Sequence, residues 1–335
     1  MSDKDFAGKG GFIWWTGVIE NRQDPLKLGR CQIRCVGWDA DNRMEVPTDA
    51  LPWAMPLLPP NNTMTYTPNE GDTAFGFFMD GESAQERILM GIFPKIPLKG
   101  ANPQDAFGDP REDLSSAPRK IASKTYKTDG TGVEVTEGEA VNYPANLDEP
   151  TTSRLARNES IEQTFIQERK DNKVSGVTTA TGSWDEPETK YNAKYPYNNV
   201  METESGHIVE YDDTPGAERI HIAHRSGSFT EWYPDGDRVE KITKNGYTIV
   251  MKDDNVYIMG KCNITVQGNA DVYVKGDANM KVDGNFDMKV KGNMNTNITG
   301  NLNETIGGSK TTTVTGSYTI DAASLTVTAD PINLN

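Results

Sequence analysis

Apolar residues are spread along this chain in three different ways, and each pattern predicts a different kind of element. From Phe12 to Phe93 they fall in short alternating runs, FIWWTGVIE, GRCQIRCVGW, DTAFGFFMDG and RILMGIF, separated by turns rich in Pro, Asn, Asp and Gly. Period-two runs bounded by turn residues read as strands, so residues 1–98 are expected to form a small all-β barrel or sandwich. In the first connection, NRQDPLKLGR, Pro25 sits in a turn and Gly29 at the start of the next strand. Cys31, Ile33 and Cys35 alternate with Gln32 and Arg34, which predicts a half-buried strand with both cysteines in the core. Trp14, Trp15, Trp38 and Trp53 are read as core or interface residues rather than as a ligand platform.

The pattern dissolves over residues 99–198, which are acidic and punctuated by Pro and Gly. An extended, solvated linker is expected there, with one helix from Arg157 to Asp171 carrying Ile161, Phe165 and Ile166 on one side. Strand-like runs return over residues 199–259.

Beyond them a strict repeat takes over. Glycine recurs every eight residues at Gly260, Gly268, Gly276, Gly284, Gly292, Gly300, Gly308 and Gly316. With glycine as position a, position g is Val266, Val274, Val282, Val290, Ile298, Ile306 and Val314, β-branched in every octad. Position b is Asn269, Asp277, Asn285, Asn293, Asn301, Ser309 and Ser317. Each octad is thus expected to turn at Gly-Asn/Asp/Ser, with glycine supplying a positive φ. Positions c, e and g then form one apolar face of a short strand.

One strand and one turn cannot encircle a core by themselves. Three chains can, each supplying one face, so residues 260–322 are expected to form an intertwined triple-stranded β-helix in an obligate homotrimer that folds as it assembles. At one strand spacing per octad the needle is roughly 34 Å long, with residues 323–335 as its tip segment. A disordered tract would not hold glycine and a β-branched residue in phase, and calcium-binding repeats have a nine-residue period with regular aspartates. From Gly292 onward, Thr296, Glu304, Lys310 and Thr312 replace apolar residues at c and e. Either the interior becomes polar towards the end, with water or ions inside, or the pairing changes there.

Composition agrees with a chain that forms little conventional core. Only 35% of the 335 residues are hydrophobic, and the mean hydropathy is -0.64. The net charge of -15 leaves no net positive charge for a nucleic-acid backbone, so nucleic-acid binding is not expected. No apolar run is long enough to span a bilayer, and MSDKDFAGKGG lacks the form of a secretory signal. Synthesis in a host cytoplasm is expected. Cys31, Cys35 and Cys262 are too few and too scattered for a disulfide framework or a zinc site.

The run WTGVIENRQDPLKLGRCQIRCVGW, followed by ALPWAMP, resembles the oligonucleotide/oligosaccharide-binding (OB) barrel that opens the central baseplate spike, or tail-associated lysozyme, of T-even-type contractile-tailed phages. Further on, YPYNNVMETESGHIVEYDDTPGAERIHIAHRSGSFTEWYPDG is similar to the stretch leading into that family's triple-stranded β-helix, and the octads match its repeat. The valine-glycine spacing also resembles type VI secretion spikes. The resemblance implies a virion protein of the tail baseplate. Its barrel would dock on a separate trimeric hub protein, and its needle would cross the host outer membrane when the sheath contracts. A small conical tip protein of the proline-alanine-alanine-arginine type is expected at TADPINLN. Type VI spikes carry a long hub-like region before the barrel, whereas here the barrel begins soon after Met1, which favours a phage.

In that family a muramidase sits between barrel and spike, and this chain is read as a form without it. Glu162 and Asp171 reproduce the family's glutamate-to-aspartate spacing, but the threonine position is Val177, with Thr178 adjacent. The polar flanks EQTFIQERKDNKVSG supply no cleft to raise the pKa of an acid. No catalytic residues, no metal and no cofactor are therefore assigned. His221 and His224 are three apart in a strand-like run and face opposite sides, so a metal site within one chain is not expected, and a three-fold site with one histidine per chain is the lesser alternative. A tail-associated muramidase and the spike of a type VI or extracellular injection system are the alternatives.

Overall fold

The computed structural model describes residues 13–60, 67–95, 102–110, 151–158, 169–203 and 206–329. Contacts divide the chain into residues 1–267 and 268–335, and each unit is described by itself.

Five strands close the amino-terminal barrel: β1 (Ile13–Asn21), β2 (Cys31–Cys35), β3 (Trp53–Pro56), β4 (Thr73–Phe78) and β5 (Arg87–Phe93), in the order β1-β2-β3-β5-β4. All pairings are antiparallel except β3 with β5, a Greek-key closure of the OB type. Trp15, Ile19, Cys31, Ile33, Cys35, Ala74, Phe78 and Leu89 pack inside it. Gly76 stands at a bulge between β4 and β5, where a Cβ would collide with the Ile88 carbonyl and the Trp15 ring. That closeness requires glycine at a barrel corner.

Strand β2 departs from the half-buried expectation, because all five of its residues are buried. The loop after β2 folds over its second face. Arg34 donates to Ala40 O at 2.8 Å, to Val46 O at 2.6 Å and to both Glu20 oxygens. Gln32 Nε2 donates to Leu51 O at 2.8 Å. Burial alone would raise the Glu20 carboxyl, but hydrogen bonds from Arg34, Thr48 and Arg43 outweigh it and hold it below the usual range. Of the tryptophans expected in core or interface, Trp15 is core, while Trp14 is half exposed and stacks on Phe75 with centroids 5.2 Å apart.

The second layer is a five-stranded antiparallel meander, β8 (Asn198–Glu202), β9 (Ile208–Asp212), β10 (Arg219–Ala223), β11 (Phe229–Trp232) and β12 (Arg238–Lys241). Before it come a one-turn helix α1 (Arg154–Arg157) and a small hairpin of β6 (Val177–Thr178) and β7 (Ser183–Trp184). Much of the helix expected over Arg157 to Asp171 lies outside the described residues; α1 ends at Arg157, and residues 169–171 are helical. The expected linker is not solvated throughout. Leu155 packs with Ile208, Ala223 and Phe229, and Arg169, Glu186 and Ala193 are buried.

After β12 the described residues contain no strand. The backbone instead bends at eight-residue intervals from Thr243–Lys244 to Thr315–Gly316. The bends start two octads before the first octad glycine, so the geometric repeat is longer than the glycine repeat. Among the described residues no helix is long and apolar enough to cross a membrane.

Candidate functional site

The feature that sets this chain apart is an apolar surface with nothing of its own to cover it. At position g the exposures are 54% for Val266, 51% for Val274, 44% for Val282, 49% for Val290, 45% for Ile298, 44% for Ile306 and 45% for Val314. Positions e and c on the same face are barer still, as at Val272 and Leu302. The preceding octads continue the series with Val250 and Ile258 at g, also about half exposed. Backbone N–H and carbonyl groups along this stretch form no ladder within the chain, so a single chain leaves them to solvent.

Every octad glycine from Gly260 to Gly316 is the second residue of a bend. None adopts a left-handed φ, so the expected positive φ is not why glycine stands there. Nor would a Cβ at any of these eight positions meet another atom of the chain within 4 Å. Neither conformation nor crowding inside one chain asks for glycine.

The β8–β12 sheet is reversed in the same sense. Its outward positions are apolar and open, at Met201, Tyr211, Ile220, Ile222 and Trp232. Its covered positions combine the apolar Ile208, Ala223 and Phe229 with a charged row. Glu210, His221 and Glu231 lie in register across β9, β10 and β11, and Arg219 donates to Glu231 at 2.8 Å and to Glu210 at 2.9 Å. His221 Nδ1 is 2.6 Å from Glu210, and Asn198 donates to Glu210 at 3.0 Å. Arg169 closes the cluster against Glu231 and Tyr233, with its guanidinium 4.2 Å over the Phe229 ring.

Burial would raise the Glu210 carboxyl, but His221, Arg219 and Asn198 hold it down at about 2. Burial also pushes His221 below its ordinary value, against the pull of Glu210. Glutamate, histidine and arginine together form the sort of cluster that marks catalytic sites. Here Glu210, Glu231, Arg219 and His221 are sealed from solvent, which leaves a substrate no access. The cluster instead ties residues 169–198 to the sheet. Sequence reading missed it, although a signal was present: Glu210 and Asp212, Arg219 and His221, and Glu231 share the inward parity of three successive strands, opposite Tyr211, Ile220, Ile222 and Trp232.

Among the lysozyme-like positions, Glu162 lies outside the described residues, Asp171 is exposed, and Val177 and Thr178 form β6. His221 is buried and His224 exposed, on opposite sides as expected. His207 and His224, which the sequence did not pair, pack with ring centroids 4.5 Å apart. Each Nδ1 accepts a backbone N–H, from Arg225 at 3.4 Å and from Ser226 at 3.1 Å. Among the described residues no three His, Cys, Asp or Glu are placed to hold a metal ion. Cys31 and Cys35 are buried, and burial pushes both thiols up to about 12. Cys262 is exposed at position c of the first glycine octad.

Over 294 residues the chain is 37% identical to Protein Gp5 of Vibrio phage KVP40, an alignment covering 76% of this chain and 63% of that protein. The chain is similar to this phage Gp5 protein over most of its own length. A second Gp5, the pre-baseplate central spike protein of Enterobacteria phage T4, is 47% identical over 75 residues, 22% of this chain and 13% of that protein. The chain thus spans less than two thirds of the length of the Gp5 relatives it matches. No family model matches it.

Proposed function

We propose that this chain is the structural central spike of a contractile-tail phage baseplate, a homotrimer whose octads wind into a triple-stranded β-helix. The observation that carries the reading is the half-exposed row of β-branched residues from Val266 to Val314 on a backbone without strand partners. Three copies would bury that row along a common axis and pair the orphan backbone groups, at about 0.8 kcal/mol for each buried methylene. Octad glycines then permit neighbouring backbones to come close. The reversed sheet would turn the apolar residues of its outer face to the other copies, and central spike, the role named for the T4 relative, is one this geometry suits.

In this reading the barrel docks on a separate hub protein of the baseplate, and a small conical tip protein binds beyond Ala329. Sheath contraction supplies the work. The needle's task is to stay folded and unbent while it crosses the host outer membrane, and a net charge of -15 per chain limits adhesion to anionic surfaces on the way. That task involves no catalytic step. Light-scattering mass of the purified protein, with and without SDS at room temperature, tests the reading. Three chains in native buffer are expected, and a native mass of 36.9 kDa would refute it. Clearing of peptidoglycan by the purified trimer would replace the non-enzymatic role with that of a tail-associated muramidase.

A further inference from the structure

The β6–β7 hairpin is fastened at both ends. At its base, Lys241 Nζ on the last strand of the sheet donates to Asn172 O and to Glu186 Oε2, both at 2.8 Å, and Val174 and Glu186 close the ladder with Val174 O accepting at 2.8 Å. At its tip, Lys261 Nζ donates to Thr181 Oγ1 at 3.1 Å and Thr265 Oγ1 to Thr178 O at 2.7 Å. Lys261 and Thr265 belong to the first glycine octad. The anchors are therefore separated in sequence by the two octads that bend like the others but lack the glycine.

Those two octads carry a second distinguishing feature in their density of outward apolar residues, since the later octads keep only one large apolar side chain at d, f or h, Tyr273. Outward positions d, f and h of the two carry Tyr247, Ile249, Met251, Tyr257 and Met259, all 80–90% exposed. In the first glycine octad the same positions are Asn263, Thr265 and Gln267, as suits a solvated surface. A belt of large apolar side chains on the outside of a shaft needs a cover. The chain's own hairpin is already seated and leaves the belt bare, while Val174 and Trp184 of that hairpin are themselves 46% and 45% exposed.

We propose that the hairpin of one copy clasps the outward belt of a second copy. The inference rests on the three-chain reading. In the three-chain needle the hairpin of one copy would lie beside the first octads of its neighbour. Trp184 and Val174 then lie against Tyr257, Met259 or their equivalents, and the clasp holds the needle closed where the sheet ends and the repeat begins.

The test uses the full chain with Cys262→Ser, Trp184→Cys and Tyr257→Cys, treated with a short bis-maleimide and run on a denaturing gel beside a native light-scattering mass. Cys31 and Cys35 are buried and stay silent. Covalent dimers and trimers are expected. Monomer bands alone, from protein with the mass of three chains, would overturn the clasp and leave the trimer standing. A native mass of one chain for the unmodified protein would overturn the trimer itself. A second measurement needs no cysteine: chymotrypsin should spare Tyr247 and Tyr257 in the parent trimer and cut there on the order of tenfold faster once Trp184→Ser and Val174→Ser open the clasp. Equal resistance in the two trimers would overturn it as well.

Discussion

The barrel and the octads are both built from β-branched, aromatic and glycine residues, yet one completes itself and the other does not. In the barrel, Ile19, Ile33, Cys31, Cys35, Ala54 and Ala74 are fully buried by their own chain. In the octads the corresponding apolar positions stay 44% exposed or more. Glycine follows the same division. A Cβ on Gly76 would strike its own chain, and one on Gly284 would strike nothing. A closed barrel removes its sheet edges by pairing them internally. An eight-residue strand-and-turn unit cannot, and in the three-chain reading proposed above its hydrophobic set and its glycine are both addressed to another chain.

The largest effect should follow from attacking the octads at the axis. Val282→Asp would place three carboxylates together in an apolar layer, a cost of several kcal/mol for each ion. The native mass is expected to fall to that of one chain, while the barrel's near-ultraviolet circular dichroism persists. A variant that still has the mass of three chains would mean that Val282 does not face the axis. In contrast, Phe78→Ala should remove about 3–5 kcal/mol from the barrel and leave the mass unchanged, since Phe78 packs only within it. If the trimer dissociates instead, the two regions are not independent in the way their burial indicates.

Next in size is the charged layer beneath the sheet. Arg219→Met would leave Glu210 and Glu231 buried without their shared partner, at about 3–5 kcal/mol. The same cluster sets a pH dependence. Glu210 is held below its unfolded value, so its contribution is complete above about 4.5 and fades as the pH falls towards about 2. His221 is also held down, so protons bind the unfolded chain first and stability begins to fall below about 6.5. Thermal unfolding of the sheet should therefore worsen steadily on acidification from neutral pH. A His221→Gln variant should lose the upper part of that slope, and an unchanged profile would place the proton uptake elsewhere.

Much of this division was legible in the sequence, for physical reasons that differ by region. An octad with glycine and valine in phase over Gly260 to Gly316 has no explanation in local propensity, so its period raised the expectation of assembly, which the mass measurement above tests. The barrel showed itself through period-two runs, but β2 did not show its second buried face. What covers Gln32 and Arg34 is an irregular loop that binds them through its carbonyls, at Ala40, Val46 and Leu51, and carbonyls leave no trace in side-chain pattern. The role of the octad glycines was misjudged because positive φ and close approach select the same residue, and only backbone angles separate them. The early start of the repeat was hidden for a simpler reason: Lys244 and Lys252 occupy the glycine position of octads that bend all the same.

The smallest expected effect turns on the same contrast and needs only a thiol reagent. In native protein Cys31 and Cys35 should resist alkylation, because both are buried and their thiols are pushed up to about 12 and the reactive species is the thiolate. Cys262 stands exposed on a single chain, but position c lies on the same face as Val266, which three chains would turn inward. Alkylation followed by mass spectrometry should thus find no modified thiol in the assembled protein and one, at Cys262, in the Val282→Asp chain. If Cys262 reacts equally in both, position c does not line the needle, and the apolar face narrows to e and g. If Cys31 or Cys35 reacts in the Val282→Asp chain, the barrel draws part of its integrity from the assembly, and the two regions are less separable than burial alone suggests.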